Sequence, residues 1–145
     1  MPENINNKRN YSVINFKITK DKIILFSKAT GQTDPVYFDE EHAKKLGLPS
    51  LLAPPTFLTV VEHSQNFTEQ YIADLGISFS KIIHAGQSYN YYQPVYANDT
   101  ITLKGKILDI YTKSNKSMQF VEFLSIYSNQ KSVMVSKSLS TIVLM

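Results

Sequence analysis

Gly31-Gln32-Thr33-Asp34-Pro35-Val36-Tyr37 and Ala53-Pro54-Pro55-Thr56-Phe57 are the two anchors of a stretch, Phe26 to Phe67, around which the chain is organised. The first is a turn-rich segment between two short helical patterns. Its Asp34-Pro35 pair holds the aspartate near extended geometry, and the Asp34 carboxylate is expected to cap its own turn. The second leads into a helix through two prolines, which suit a first turn whose N–H groups have no intrahelical partner. Phe57, Leu58, Val60, Val61 and Ser64 then recur at helical spacing. The pattern predicts a helix from about Pro55 to Phe67, apolar around most of its circumference and therefore buried.

Working outward, Thr19 offers an N-cap to a helix carrying Ile23, Ile24, Phe26 and Ser27, which should stop near Thr30-Gly31. Asp39 caps a shorter one, Glu40 to Leu46, with acidic residues in its first turn, Lys44 and Lys45 in its last, and Gly47 after it. Phe67 to Gly76 gives a further short helical or irregular piece. Tyr11 to Ile18 alternates as a half-buried strand, and strand patterns follow at Ser80–Tyr92, Thr100–Tyr111, Met118–Tyr127 and Ser132–Leu144. Turn signals at Ala97-Asn98-Asp99, Ser114-Asn115 and Ser128-Asn129 predict antiparallel meander pairs. The expected fold class is α+β, a five-stranded curved antiparallel sheet wrapped around a central helix.

The 145 residues form one domain of ordinary globular composition. Residues 1–10 read as a flexible lead and 11–145 as the folded unit. There is no cysteine, so disulfides, thiolate metal sites and cysteine nucleophiles are excluded. No apolar run has the length of a membrane span or the form of a leader, which gives a cytoplasmic expectation. The net charge of +3 comes from fourteen scattered lysines and Arg9. That pattern does not favour nucleic acid, whose recognition leans on arginine, but it suits an anionic ligand such as coenzyme A or an acidic carrier protein.

Three motifs in order, F-x-x-A-T-G-x-x-D-P-x-Y-x-D-x-x-x-A (Phe26 to Ala43), A-P-P-T-F (Ala53 to Phe57) and H-A-G-Q-S-Y-N-Y-Y-Q-P-V-Y-A-N-D-T (His84 to Thr100), resemble those of the MaoC-like hot-dog family. The resemblance covers about Tyr11 to Leu144. It implies a hot-dog fold and the chemistry of (R)-specific enoyl-thioester hydratases and 3-hydroxyacyl-thioester dehydratases. In that family a G-D-x-x-P-x-H segment supplies an acid/base pair, and a backbone N–H at the start of the buried helix polarises the thioester carbonyl. Here the family's aspartate position is Gln32, an amide. Its histidine position is Tyr37, and a phenol ordinarily stays protonated at neutral pH. The helix-start donor position is Pro55, which has no N–H. This variant pattern resembles the non-catalytic half of two-part dehydratases, which packs against a catalytic half as a dimer.

The candidate catalytic positions are therefore Gln32 and Tyr37, both degenerate, with His84 as a further acid/base candidate. Candidate substrate-binding residues are Asp34, Pro54, Pro55, Thr56, Phe57, Gly86 and Gln87. The ligand implied is an acyl-CoA or acyl-carrier thioester; no cofactor is expected, and the histidine spacing suggests no metal. His42 reads as a surface residue and His63 as a hydrogen-bonded core histidine. Tyr89, Tyr91 and Tyr92 fit either an acyl-chain wall or a structural or dimer-interface cluster. Three functions stay open: a non-catalytic subunit paired with an active hot-dog partner; an atypical hydratase or thioesterase using His84, Glu62 or a water held by Gln32 and Tyr37; and a homodimeric acyl-thioester binding module.

Overall fold

A computed structural model describes residues 11–113 and 118–145 of the chain. The expected lead over 1–10 and the Ser114-Asn115 turn lie outside the described residues. Five strands are present among those described: β1 (Ile14–Lys17), β2 (Ile82–Tyr91), β3 (Thr100–Lys113), β4 (Met118–Ser128) and β5 (Met134–Leu144). They form a single antiparallel sheet in the order β1-β3-β4-β5-β2. Alternation of apolar and polar residues decides which face is buried. Ile14 and Phe16 of β1, Ile101, Leu103 and Ile107 of β3, and Val121, Phe123 and Tyr127 of β4 all turn to the helical side.

The helices are α1 (Lys20–Ala29), α2 (Glu40–Lys45), α3 (Leu58–Glu62) and α4 (Phe67–Asp74). Thr19 caps α1 by accepting from the Lys22 N–H, and Asp39 caps α2 by accepting from the His42 N–H at 3.1 Å. Gly31 ends the first with φ +72°, a conformation that a side chain would disfavour. The sheet's inner face, α1, α3 and α4 share one core, in which Phe57 and Phe67 are wholly buried.

Two sequence expectations are corrected. The helix expected from Pro55 to Phe67 is built in pieces: a 3-10 turn over Pro55–Phe57, then α3, then a break before α4. The break is a backbone event, because Gln65 and Asn66 both adopt left-handed φ values of 53° and 56°, while Ser64 turns its hydroxyl back to the Val61 carbonyl at 2.7 Å. That detour lets Phe67 drop over Gly105 of β3, where an added Cβ would sit 2.5 Å from the Phe67 ring. It also leaves His63 exposed at the end of α3, bonded through Nδ1 to Thr68 Oγ1 at 3.2 Å, rather than in the core.

The second correction concerns the meander. β3, β4 and β5 are consecutive neighbours, but β2 does not pair with β3; it crosses to the far edge and pairs with β5. The segment between them is drawn inward by Val95 and Ala97, both buried. It bonds to Leu51–Ala53, with Ala53 N–H donating to Val95 O and Ala97 N–H to Leu51 O. Ala97-Asn98-Asp99 therefore turns the chain into β3 without closing a hairpin.

Candidate functional site

A groove of about 380 Å³ opens where the start of α3 meets the end of β2. One wall is Leu52, Ala53, Pro54, Pro55 and Leu58; the other is Tyr91, Tyr92, Gln93, Pro94 and Val95; Tyr37 completes it. The Ala53–Val95 backbone bond (2.8 Å) ties the two walls together at the base. Tyr37 arrives there because Asp34 caps the 3-10 turn Pro35–Tyr37, its Oδ1 accepting from the Val36 N–H at 3.0 Å, and because Leu52 N–H donates to Val36 O. Glu40 braces the same region by gathering Lys20, Lys44 (3.4 Å) and the Ser50 hydroxyl (3.1 Å). The Lys20 hydrogen bond foremost holds the Glu40 carboxyl below the usual carboxylate range.

The structure divides the sequence-predicted residues. Tyr37, Pro54 and Pro55 line the groove together with Tyr91 and Tyr92. Gln32 sits at the end of α1, half-buried, its N–H bonded to Ser27 O, and is not among the lining residues. Asp34 is engaged in its own turn. Thr56 is exposed on the 3-10 turn, and Phe57 is a core residue standing edge-on to Phe26 at 5.5 Å. His84, Gly86 and Gln87 lie earlier on β2, about 13 to 23 Å along the strand from Tyr91. There a register shift between His84 and Gly86 bulges the strand, and His84 Nε2 approaches Gln87 Oε1 at 3.2 Å. His42 is half-buried on α2. Among the described residues no group of three His, Cys, Asp or Glu could hold a metal ion, and no helix is long and apolar enough to cross a membrane.

A buried polar cluster lies behind the groove. Glu62, 5% exposed, accepts from Ser125 Oγ (2.7 Å) and Tyr127 OH (3.1 Å), and Ser138 Oγ lies 3.2 Å from the same phenol. Burial first, then the Glu62 carboxylate, pushes the Tyr127 phenol well above its ordinary range. Between this cluster and the groove, Thr59 Oγ1 and Tyr89 OH are hydrogen-bonded across from α3 to β2. The Tyr89 phenol is pushed up to about 12, chiefly by burial, with the Thr59 hydrogen bond acting the other way. Tyr89 stacks on Tyr91 at 5.5 Å with planes 7° apart. The sequence singles out Tyr89 and Glu62 but gives no signal that either faces α3 or the sheet interior; Thr59 carries no signal at all.

Among the described residues β2 is an edge strand, bonded on one side only. Its helix-facing residues His84, Gln87 and Tyr91 are exposed, as is Ile83 on the other face at 47%. With this geometry in view, the chain matches the family described as FAS1-like, dehydratase domain region, over residues 8–138. It is 34% identical over 109 residues to the UPF0336 protein of Thermobifida fusca, covering 74% of this chain and 70% of that protein. Other UPF0336 relatives, from Streptomyces, are matched over 61–63% of their own length, less than two thirds. The fold is similar to the HadBC (3R-hydroxyacyl-ACP dehydratase) complex from Mycobacterium tuberculosis, with a TM-score of 0.78, 21% identity and 92% of each chain covered. It is also similar to a MaoC-like dehydratase, with a TM-score of 0.82, 14% identity, and 94% of this chain and 41% of that one covered.

Proposed function

This chain belongs to the family of FAS1-like dehydratase regions and has their MaoC-like hot-dog fold, and from that premise we propose that it is a non-catalytic subunit that binds an acyl thioester beside a catalytic hot-dog partner. The observation that carries this reading is the lining of the groove. Its eleven residues include no carboxylate, imidazole or ammonium group, only apolar side chains, one amide and three phenols. Proton transfer between water and an enoyl thioester needs a group that takes up and releases a proton near neutral pH. The helix start, where a backbone donor would polarise the thioester carbonyl, holds Pro55, which has no N–H. An apolar cleft with a few polar groups remains a good binding site for an acyl chain.

The partnership rests on β2. An unpaired edge strand with exposed apolar side chains invites another strand. Antiparallel pairing with the equivalent strand of a partner would set the partner's early β2 beside the Tyr91 end of this one. By the same pairing the partner's acid and base, at its counterparts of Gln32 and Tyr37, would stand at the early-β2 end of this chain, beside His84 and Gln87. The test is a titration of this chain into a separately purified hot-dog subunit carrying G-D-x-x-P-x-H. Sedimentation should show a one-to-one complex, and turnover of a trans-2-enoyl thioester should rise to saturation at that ratio. A partner that neither associates with this chain nor changes its turnover would overturn the reading.

A further inference from the structure

Next to the groove's lining, on the side of the Glu62 cluster, α3 and β2 are joined by a side-chain hydrogen bond. On the α3 wall the residue after Leu58 is Thr59; on the β2 wall, two positions before Tyr91 and on the same face, stands Tyr89. Their hydroxyls are hydrogen-bonded, so the gap between helix and edge strand is bridged where a linear ligand would pass inward. Tyr89 pairs across the sheet with Ser138, and Ser138 pairs with Ser125. Both serines belong to the cluster around Glu62, one helical turn beyond Leu58 and Thr59. Between α3 and this part of the sheet, the buried Glu62, Ser125, Tyr127 and Ser138 and the half-buried Thr59 and Tyr89 are thus held in hydrogen bonds to one another. An alkyl chain threading past Tyr89 would part these hydrogen bonds and leave buried polar groups without partners, which is more costly than the hydrophobic gain from each methylene.

We propose that the Thr59–Tyr89 bridge, backed by the Glu62 cluster, is a stop that restricts the groove to short acyl chains. This rests on the acyl-thioester reading of the groove and adds to it the class of acyl group. The stop is polar, so it rejects chains by desolvation as well as by bulk.

The experiment measures affinity for saturated acyl-CoAs from acetyl through butanoyl, hexanoyl and octanoyl to dodecanoyl, using the chain alone and in complex with a catalytic hot-dog subunit. Below the stop, each added methylene should tighten binding about fourfold; beyond it, the gain should vanish or reverse. Tyr89→Ala, and separately Thr59→Ala/Tyr89→Phe, should let the gain continue to longer chains, with circular dichroism confirming the fold. The second variant keeps the ring, so a shift there assigns the effect to the hydroxyl pair. An unbroken rise through dodecanoyl-CoA in the natural protein overturns the stop while leaving the acyl-binding reading standing. So does a plateau that neither variant moves. Failure to bind any acyl-CoA, alone or in complex, overturns both.

Discussion

Glu62 accepts two hydrogen bonds inside the core, and Glu62→Ala would remove the acceptor from both donors. Ser125 Oγ, at 2.7 Å, loses this acceptor outright, while Tyr127 OH keeps Ser138 at 3.2 Å as an alternative. An unsatisfied buried donor costs about 1–3 kcal/mol, so the expected loss is about 2–4 kcal/mol, near the low end for Tyr127. Against a typical total of about 5–15 kcal/mol that is a large fraction. The contrast that isolates the cause is Glu62→Met with Ser125→Ala, Tyr127→Phe and Ser138→Ala. Removing every polar partner together should return stability to within about 1.5 kcal/mol of the natural protein. Urea unfolding followed by far-ultraviolet circular dichroism, at constant m-value, measures both. A loss below about 1 kcal/mol for Glu62→Ala, or a quadruple variant no more stable than Glu62→Ala, would refute the reasoning.

Gly105→Ala should destabilise by about 1–3 kcal/mol, since its Cβ would fall 2.5 Å from Phe67 and 2.6 Å from Phe123; thermal unfolding checks it, and an unshifted midpoint would contradict the close approach of α4 to β3. The Tyr89 phenol, raised to about 12, stays neutral in the folded chain while an unfolded phenol ionises near 10. The unfolded state then binds fewer protons, so this contribution is whole below pH 10 and is lost as pH climbs through about 12. A phenolate absorbance titration of the natural protein against Tyr89→Phe should show the Tyr89 phenol ionising only together with alkaline unfolding, and a Tyr89 difference signal titrating near 10 in a folded protein would contradict it. Ile83→Lys should leave the isolated chain's stability within about 0.5 kcal/mol, because Ile83 is half-exposed, yet weaken assembly with the partner by sedimentation. Gln32→Asp with Tyr37→His and Pro55→Gly should create hydration activity, falling about 100- to 1000-fold if Pro55 is retained; a folded but inert triple variant would count against placing these three at the family's working positions.

Much of the fold is legible in the sequence because period-two alternation marks strand faces and local side chains mark helix starts. Thr19, Asp34 and Asp39 cap their elements as their chemistry requires. The break in the central helix is not legible, because it depends on Gln65 and Asn66 taking left-handed conformations that Phe67 stabilises by packing over Gly105. The far-edge position of β2 is set by bonds between 51–53 and 95–97, a long-range pairing no local pattern encodes. Tyr37 and Pro55 can be placed together from motif spacing. The Thr59–Tyr89 bridge joins residues 30 apart in sequence, and no local pattern says that these two side chains meet.

Hydration of a short trans-2-enoyl-CoA by the purified chain, before and after a catalytic hot-dog subunit is added, tests the central claim most directly. The groove's lack of a carboxylate, imidazole or ammonium group in its lining leads to turnover indistinguishable from the uncatalysed reaction for the chain alone, and turnover above that of the partner alone once the two are mixed. Substantial turnover by the chain alone, surviving removal of every trace of a second subunit, would contradict the account.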